Sequence, residues 1–115
     1  RYNLLNPAAA PRLPYVTQTL APTEGPIIAV SDYVKMLPDA LHRWMPRPLY
    51  CLGTEGFGRS ETRKALRDFF EVDARYVTVA TLYQLAQQKL VKPELVAQAI
   101  KDLEINPNKL NPLFA

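Results

Sequence analysis

Leu49-Tyr50-Cys51-Leu52-Gly53-Thr54-Glu55-Gly56-Phe57-Gly58-Arg59-Ser60 is the stretch that decides the fold. Its first part is a short, continuous apolar run, the pattern of a strand covered on both faces, as in a parallel sheet. Its second part is a glycine-punctuated turn ending in Ser60, whose hydroxyl suits the start of a helix. Upstream, Ile27-Ile28-Ala29-Val30 is a run of the same kind behind Gly25-Pro26, and its β-branched content again favours a buried strand. The order is strand, helix, strand, glycine loop and three helices, an α/β pattern of short buried strands flanked by helices.

Spacing and capping residues place the helices. Ser31 and Asp32 offer a hydroxyl and a carboxylate as caps, and Val34, Leu37, Leu41 and Trp44 or Met45 recur at helical intervals. Pro38 interrupts them, because an interior proline loses a backbone bond and crowds the preceding turn. The regular helix either starts at Pro38 or kinks there. Ser60 caps a helix through about Phe70 that buries Leu66, Phe69 and Phe70. Asp73 caps a longer one, from about Ala74 to Leu90, whose apolar positions spread widely enough to bury more than one side. Pro93 suits a first helical position and Glu94 the positive end of the dipole. Leu95, Val96, Ala99, Ile100 and Leu103 then form an amphipathic stripe.

Residues 1–24 are different in kind. Pro7, Pro11, Pro14 and Pro22, with Pro26 beyond, leave little room for long regular structure. This lead-in arm is expected to lie over something larger, with Tyr15–Leu20 a short helix or extended segment packing Tyr15, Val16 and Leu20. Residues 25–115 form the domain. Two strands alone do not make a satisfactory sheet, and the chain opens at Arg1 without a methionine. A piece of a longer polypeptide, with further strands elsewhere, is the expectation.

Composition narrows the function classes. Of 115 residues 48% are hydrophobic and 22% charged, a globular balance rather than a disordered one. Fourteen basic residues face eleven acidic ones, for a net charge of +3. They are spread along the chain, which argues against a nucleic-acid interface. No apolar run approaches a membrane span. The lone Cys51, inside an apolar run, is a small hydrophobe compatible with a reducing compartment; it has no partner spacing for a disulfide or a metal.

No complete catalytic constellation is present. His42 is the only histidine, and no serine or cysteine nucleophile stands at a suggestive spacing from it. Asp32 and the carboxylates of Glu55, Glu61, Asp68, Glu71 and Asp73 fall near helix ends, where caps and dipoles account for them. The loop Gly56, Gly58, Arg59 and Ser60 is the one ligand-site candidate. Such a loop aims backbone N–H groups at an anion, with Arg59 as a fork donor. Its glycines follow GxxGxG rather than a dinucleotide fingerprint, and no phosphate-loop lysine accompanies them.

Ser31-Asp32-Tyr33-Val34-Lys35, the run from Leu52 through Ser60, and Phe70-Glu71-Val72-Asp73 together resemble the C-terminal domain of homodimeric-type pyruvate dehydrogenases. Arg1 to Pro7, Pro11 to Val16 and the closing Asn108-Lys109-Leu110-Asn111-Pro112 fit as well, so the likeness runs along essentially the whole chain. Pro38 departs from a helix-compatible residue, and Glu55 stands where the family more often has Asp. The resemblance implies a truncated transketolase-like C-terminal domain. It also implies a parent enzyme that uses thiamine diphosphate and Mg²⁺ to decarboxylate pyruvate and reductively acetylate the lipoyl group of an acetyltransferase component. The family's cofactor and substrate motifs are absent from this segment. No catalytic, cofactor or metal residue carries over, and the isolated segment is expected to be inert. Its implied role is architectural: packing against the rest of the parent and supporting a homodimer, in a bacterial cytoplasm. The alternative is a docking or regulatory module that binds a partner chain or a small anion.

Overall fold

A computed structural model describes all 115 residues. Two strands, β1 (Ile27–Val30) and β2 (Leu49–Leu52), pair in parallel, with Ile27 opposite Leu49 and Val30 opposite Leu52. Pairing continues past the strands. Ser31 N–H donates to the Leu52 carbonyl at 3.0 Å, and Thr54 N–H to the Tyr33 carbonyl at 2.9 Å. The Thr54 hydroxyl adds a bond of 3.0 Å to the Asp32 carbonyl. The two exits come so close at Gly53 that a Cβ there would lie 2.5 Å from the Tyr33 carbonyl oxygen. Glycine is the only residue that fits.

The connection between the strands departs from the expected long helix. A single turn, α3 (Met36–Asp39), is followed by a 3-10 turn at His42–Trp44. Pro38 neither starts the helix nor kinks it. It occupies the first turn, where backbone N–H groups have no helical acceptor and a missing donor loses nothing. Neither Ser31 nor Asp32 caps α3. The Ser31 hydroxyl accepts from Tyr33 N–H at 3.0 Å, and the helix begins only after Lys35, because residues 31–35 are held against the exit of β2.

Beyond the glycine loop come α4 (Arg63–Phe69), α5 (Ala74–Gln87) and α6 (Pro93–Asp102). Thr62, not Ser60, caps α4: it has the extended backbone of a cap, and its hydroxyl accepts from Ala65 N–H at 3.3 Å. Asp73 caps α5 as expected, accepting from the N–H groups of Arg75 and Tyr76. Pro93 and Glu94 open α6 as expected. α5 packs on both strands and on α6, which is why its apolar residues ring the helix. Tyr83 on α5 meets the Tyr50 ring edge-on at 5.9 Å.

α4, α5 and α6 all end in one way. Glu71, Lys89 and Glu104 have φ of 62°, 59° and 55°, the left-handed backbone that usually selects glycine. In each case the next residue's N–H returns to the last turn: Val72 to the Arg67 carbonyl, Leu90 to Leu85 and Ile105 to Ile100. α5 therefore stops three residues before the expected Leu90.

The arm contains α1 (Tyr2–Leu5) and α2 (Tyr15–Leu20). Asn3 brackets Arg12, donating to its carbonyl and accepting from its N–H. Arg47, just before β2, ties the arm down: its guanidinium donates to the carbonyls of Gly25 at 2.9 Å and Thr23 at 2.6 Å and to the Thr23 hydroxyl at 3.0 Å. Val16 and Leu20 are half-buried. Tyr15 is 83% exposed and does not pack as expected.

Burial is sparse. The buried apolar residues are Leu49, Leu52, Ala80 and Val96, joined by Gly53 and Pro112. Val30 remains 49% exposed, so the full cover expected for both strands is met on β2 at Leu49 and Leu52 but not along β1. A two-stranded sheet leaves both outer edges unpaired. The radius of gyration is 17.4 Å, against about 13 Å for a globule of this length.

Replacing Gly53 with alanine should destabilise the fold by about 1–3 kcal/mol, the range for overpacking, read as a lower urea midpoint. Lys89→Gly should act in the opposite sense. Relief of the left-handed backbone at this exposed helix end should raise stability by about 0.5–1 kcal/mol.

Candidate functional site

The parallel strands end side by side, and their exits, residues 31–35 and 53–58, form one wall of a cleft. The Glu55 carboxylate crosses between them and accepts from Lys35 N–H at 2.8 Å, capping α3 from outside its own segment. Gly56 has φ of +81°, and a Cβ there would stand 2.6 Å from the Pro112 carbonyl oxygen. Its place in the loop is set by close approach of the C-terminal tail. Gly58 faces open space.

The cleft, about 530 Å³, is lined by Asp32 and Tyr33 from the β1 exit, Arg59 from the loop, and Arg63, Arg67 and Phe70 from α4 and its end. It lies outside the carboxyl ends of parallel strands, where open α/β sheets bind ligands. Gly56, Gly58 and Arg59 border it. Ser60 does not; it borders a neighbouring hollow of about 500 Å³ with Glu61, Phe69 and Lys109. Arg59 lies over the Phe69 ring, 4.2 Å from its centroid. Arg63 and Arg67, four residues apart on α4, share one helix face.

None of these three arginines forms an ion pair; the four in the chain involve His42, Arg75 twice and Lys109. Arg75 is wholly engaged. It donates to Asp73 through Nε at 2.9 Å and through its terminal nitrogen at 2.7 Å, and it also reaches Asp68. Partial burial by itself pushes the Asp73 carboxyl up. The hydrogen bond from Arg75, the N–H of Tyr76 and the Arg75 charge outweigh it and hold the carboxyl below its ordinary value. Lys109 is engaged too. Its ammonium donates to the Asp68 and Phe69 carbonyls at 2.6 and 2.8 Å, closing the last turn of α4 from the tail.

The other chemistry-bearing residues are dispersed. His42 is exposed, with Nδ1 3.5 Å from the Asp39 carboxylate. Burial pushes the Cys51 thiol up, Asp39 adds to the effect and Lys35 opposes it; that direction favours the unreactive protonated thiol. No three His, Cys, Asp or Glu residues stand together as metal ligands.

A sequence model described as the transketolase-like TK C-terminal domain matches residues 6–73, crossing from the arm into the α/β part. The chain belongs to this family. It is 48% identical over its whole length to the pyruvate dehydrogenase E1 component of Haemophilus influenzae. It is 45% identical over 98% of its length to that of Cupriavidus necator, and 41% over all of it to that of Escherichia coli K12. In each case it spans 13% of the relative. Sequence reasoning singled out the loop with Arg59 and did not single out Arg63 and Arg67, which line the same cleft. Their spacing of four was the available signal, and it looked like an ordinary solvated helix face.

The depressed Asp73 carboxyl has a signed consequence. A carboxyl held below its unfolded value, about 3.9, contributes stability that is present above that pH and lost as pH falls through the folded value. Asp73→Asn keeps a good cap and removes the charge. It should lower stability at pH 7 by about 0.5–1 kcal/mol, as for a partly exposed ion pair. The difference from the unchanged chain should vanish in acid, as followed by urea unfolding across pH 2–7.

Proposed function

We propose that this chain is an architectural segment of a bacterial pyruvate dehydrogenase E1 component, and that it contributes no catalytic group of its own. The observation that carries the reading is a match along essentially the whole chain, at 41–48% identity, to three proteins of that name. On this reading the parent decarboxylates pyruvate with thiamine diphosphate and Mg²⁺ and passes the acetyl group to the lipoyl group of the acetyltransferase component. Bound at a site built by other parts of the polypeptide, the cofactor would supply the electron sink for decarboxylation. Residues 1–24 serve as an arm and residues 25–115 as part of the terminal domain. The setting is the bacterial cytoplasm.

The structural role follows from exposed apolar surface. Met36, Leu37 and Tyr33 are 79%, 63% and 60% exposed, close together beside the strand exits. Apolar area of this kind favours cover, here by the remainder of the parent and its homodimer partner. A second reading, an anion-binding loop at Gly56, Gly58, Arg59 and Ser60, is favoured by the three arginines without ion-pair partners around the adjoining cleft.

Pyruvate-dependent CO₂ release, with thiamine diphosphate and Mg²⁺ added, should be measurable for the full parent polypeptide and absent for the 115-residue chain. Within the parent, Met36→Glu combined with Leu37→Glu should lower the melting temperature by several degrees and weaken the dimer seen by sedimentation. Unchanged melting and assembly would contradict the architectural role, whereas CO₂ release by the isolated chain would contradict the absence of catalytic groups.

A further inference from the structure

We propose that the cleft between the arm and the 3-10 turn at His42–Trp44 is a docking surface for an acidic peptide segment of a partner protein, one that carries an apolar side chain. This cleft shares no lining residue with the one beside α4. The inference adds a role beyond packing, and it rests on the parent reading only for the polypeptide in which it is tested.

Charge and geometry select that occupant. Arg1, Arg12 and Arg43 line a space of about 460 Å³, and no carboxylate stands among its lining residues. None of the three forms an ion pair. The Arg12 guanidinium lies over the Tyr2 ring, 3.5 Å from its centroid, and that of Arg43 lies over Trp44 at 4.7 Å. Stacking occupies the flat face of a guanidinium and leaves the N–H groups in its plane free to fork onto a carboxylate. The backbone beneath both arginines is held as well. Asn3 brackets Arg12 at its carbonyl and its N–H, at 3.0 and 2.8 Å. The Thr17 hydroxyl of α2 donates to the Trp44 carbonyl, which fixes the turn bearing Arg43 against the arm. Donors held in this way lose little freedom on binding. Leu13 and Trp44, on the same lining, remain 57% and 41% exposed. They supply apolar surface beside the charges for one side chain of the partner. A nucleic acid fits less well, because its bases stack on open aromatic faces and each ring here already carries an arginine.

The test uses the full parent polypeptide and the fluorescence anisotropy of a labelled short peptide that alternates glutamate with leucine. Unlabelled competitors are the same peptide, its counterpart with lysine for glutamate, and a thymidine oligonucleotide. The acidic peptide should bind, weaken as salt rises, and be displaced by its own unlabelled form alone. Arg12→Gln and Arg43→Gln, each melting as the unchanged protein does, should weaken it by about tenfold, the loss of one charge-assisted pair. Arg12→Lys keeps the charge without the fork; it should bind between the two and serves if Arg12→Gln does not fold. Lys64→Gln, which removes an exposed cation outside the cleft, should change nothing. Equal weakening by Lys64→Gln would make the attraction one of general charge and overturn the proposal. Displacement by the oligonucleotide at lower concentration than by the acidic peptide would overturn it in favour of a nucleic acid. Absence of peptide binding, or binding unchanged in both glutamine variants, overturns it too. Pyruvate-dependent CO₂ release by the same preparations judges the parent reading separately, since on that reading neither arginine belongs to the cofactor site.

Discussion

The close passage of two backbones at Gly53 is the constraint on which the rest of the structure depends. A Cβ at that position would meet the Tyr33 carbonyl at 2.5 Å and the Lys35 nitrogen at 3.0 Å. Because glycine is there, the β2 exit lies against the β1 exit and the pairing runs on through Thr54. That contact brings Glu55 within reach of Lys35 and sets where α3 begins. It also places the exits side by side as a wall. The cleft takes its two walls from this crossing and from α4 opposite it, and the C-terminal tail fixes Gly56 at its rim.

Two cations hold the pieces that local propensity would leave loose. The proline-rich arm has little regular structure of its own, and the Arg47 guanidinium secures it by binding carbonyls at the arm's end. Hydrogen bonds from a charged donor to otherwise unpaired carbonyls are among the stronger ones a surface can form. Lys109 does the same for the end of α4, and the tail that carries it continues to its close approach at Gly56. Both ends of the chain are thus bound to the middle by polar contacts rather than by a large shared core. This fits a segment with few buried side chains and much exposed apolar surface.

The division of labour among the arginines links stability to the site. Arg75 and Arg47 are spent on structure. Arg59, Arg63 and Arg67 form no ion pairs and share a concave surface. Only the positions of neighbouring carbonyls and carboxylates separate the two groups.

Some features were determined by the sequence itself, because their signals are local. The two short apolar runs favour strands of about the observed length, the Asp73 cap and the Pro93 start rest on chemistry within one turn, and the run from Leu52 to Ser60 marked both family and loop. Other features belong to the tertiary structure alone. The one-turn α3 and its capping by Glu55 depend on a segment twenty residues away. The shift of the α4 cap from Ser60 to Thr62 reflects a loop that stays irregular through residue 61. The helix ends at Glu71, Lys89 and Glu104 carry no glycine to announce them; returning hydrogen bonds hold the left-handed backbone there. Arg63 and Arg67 line a cleft only because the strand exits are brought opposite them. A helix face has no function until something stands across from it, and the fold decides what that is.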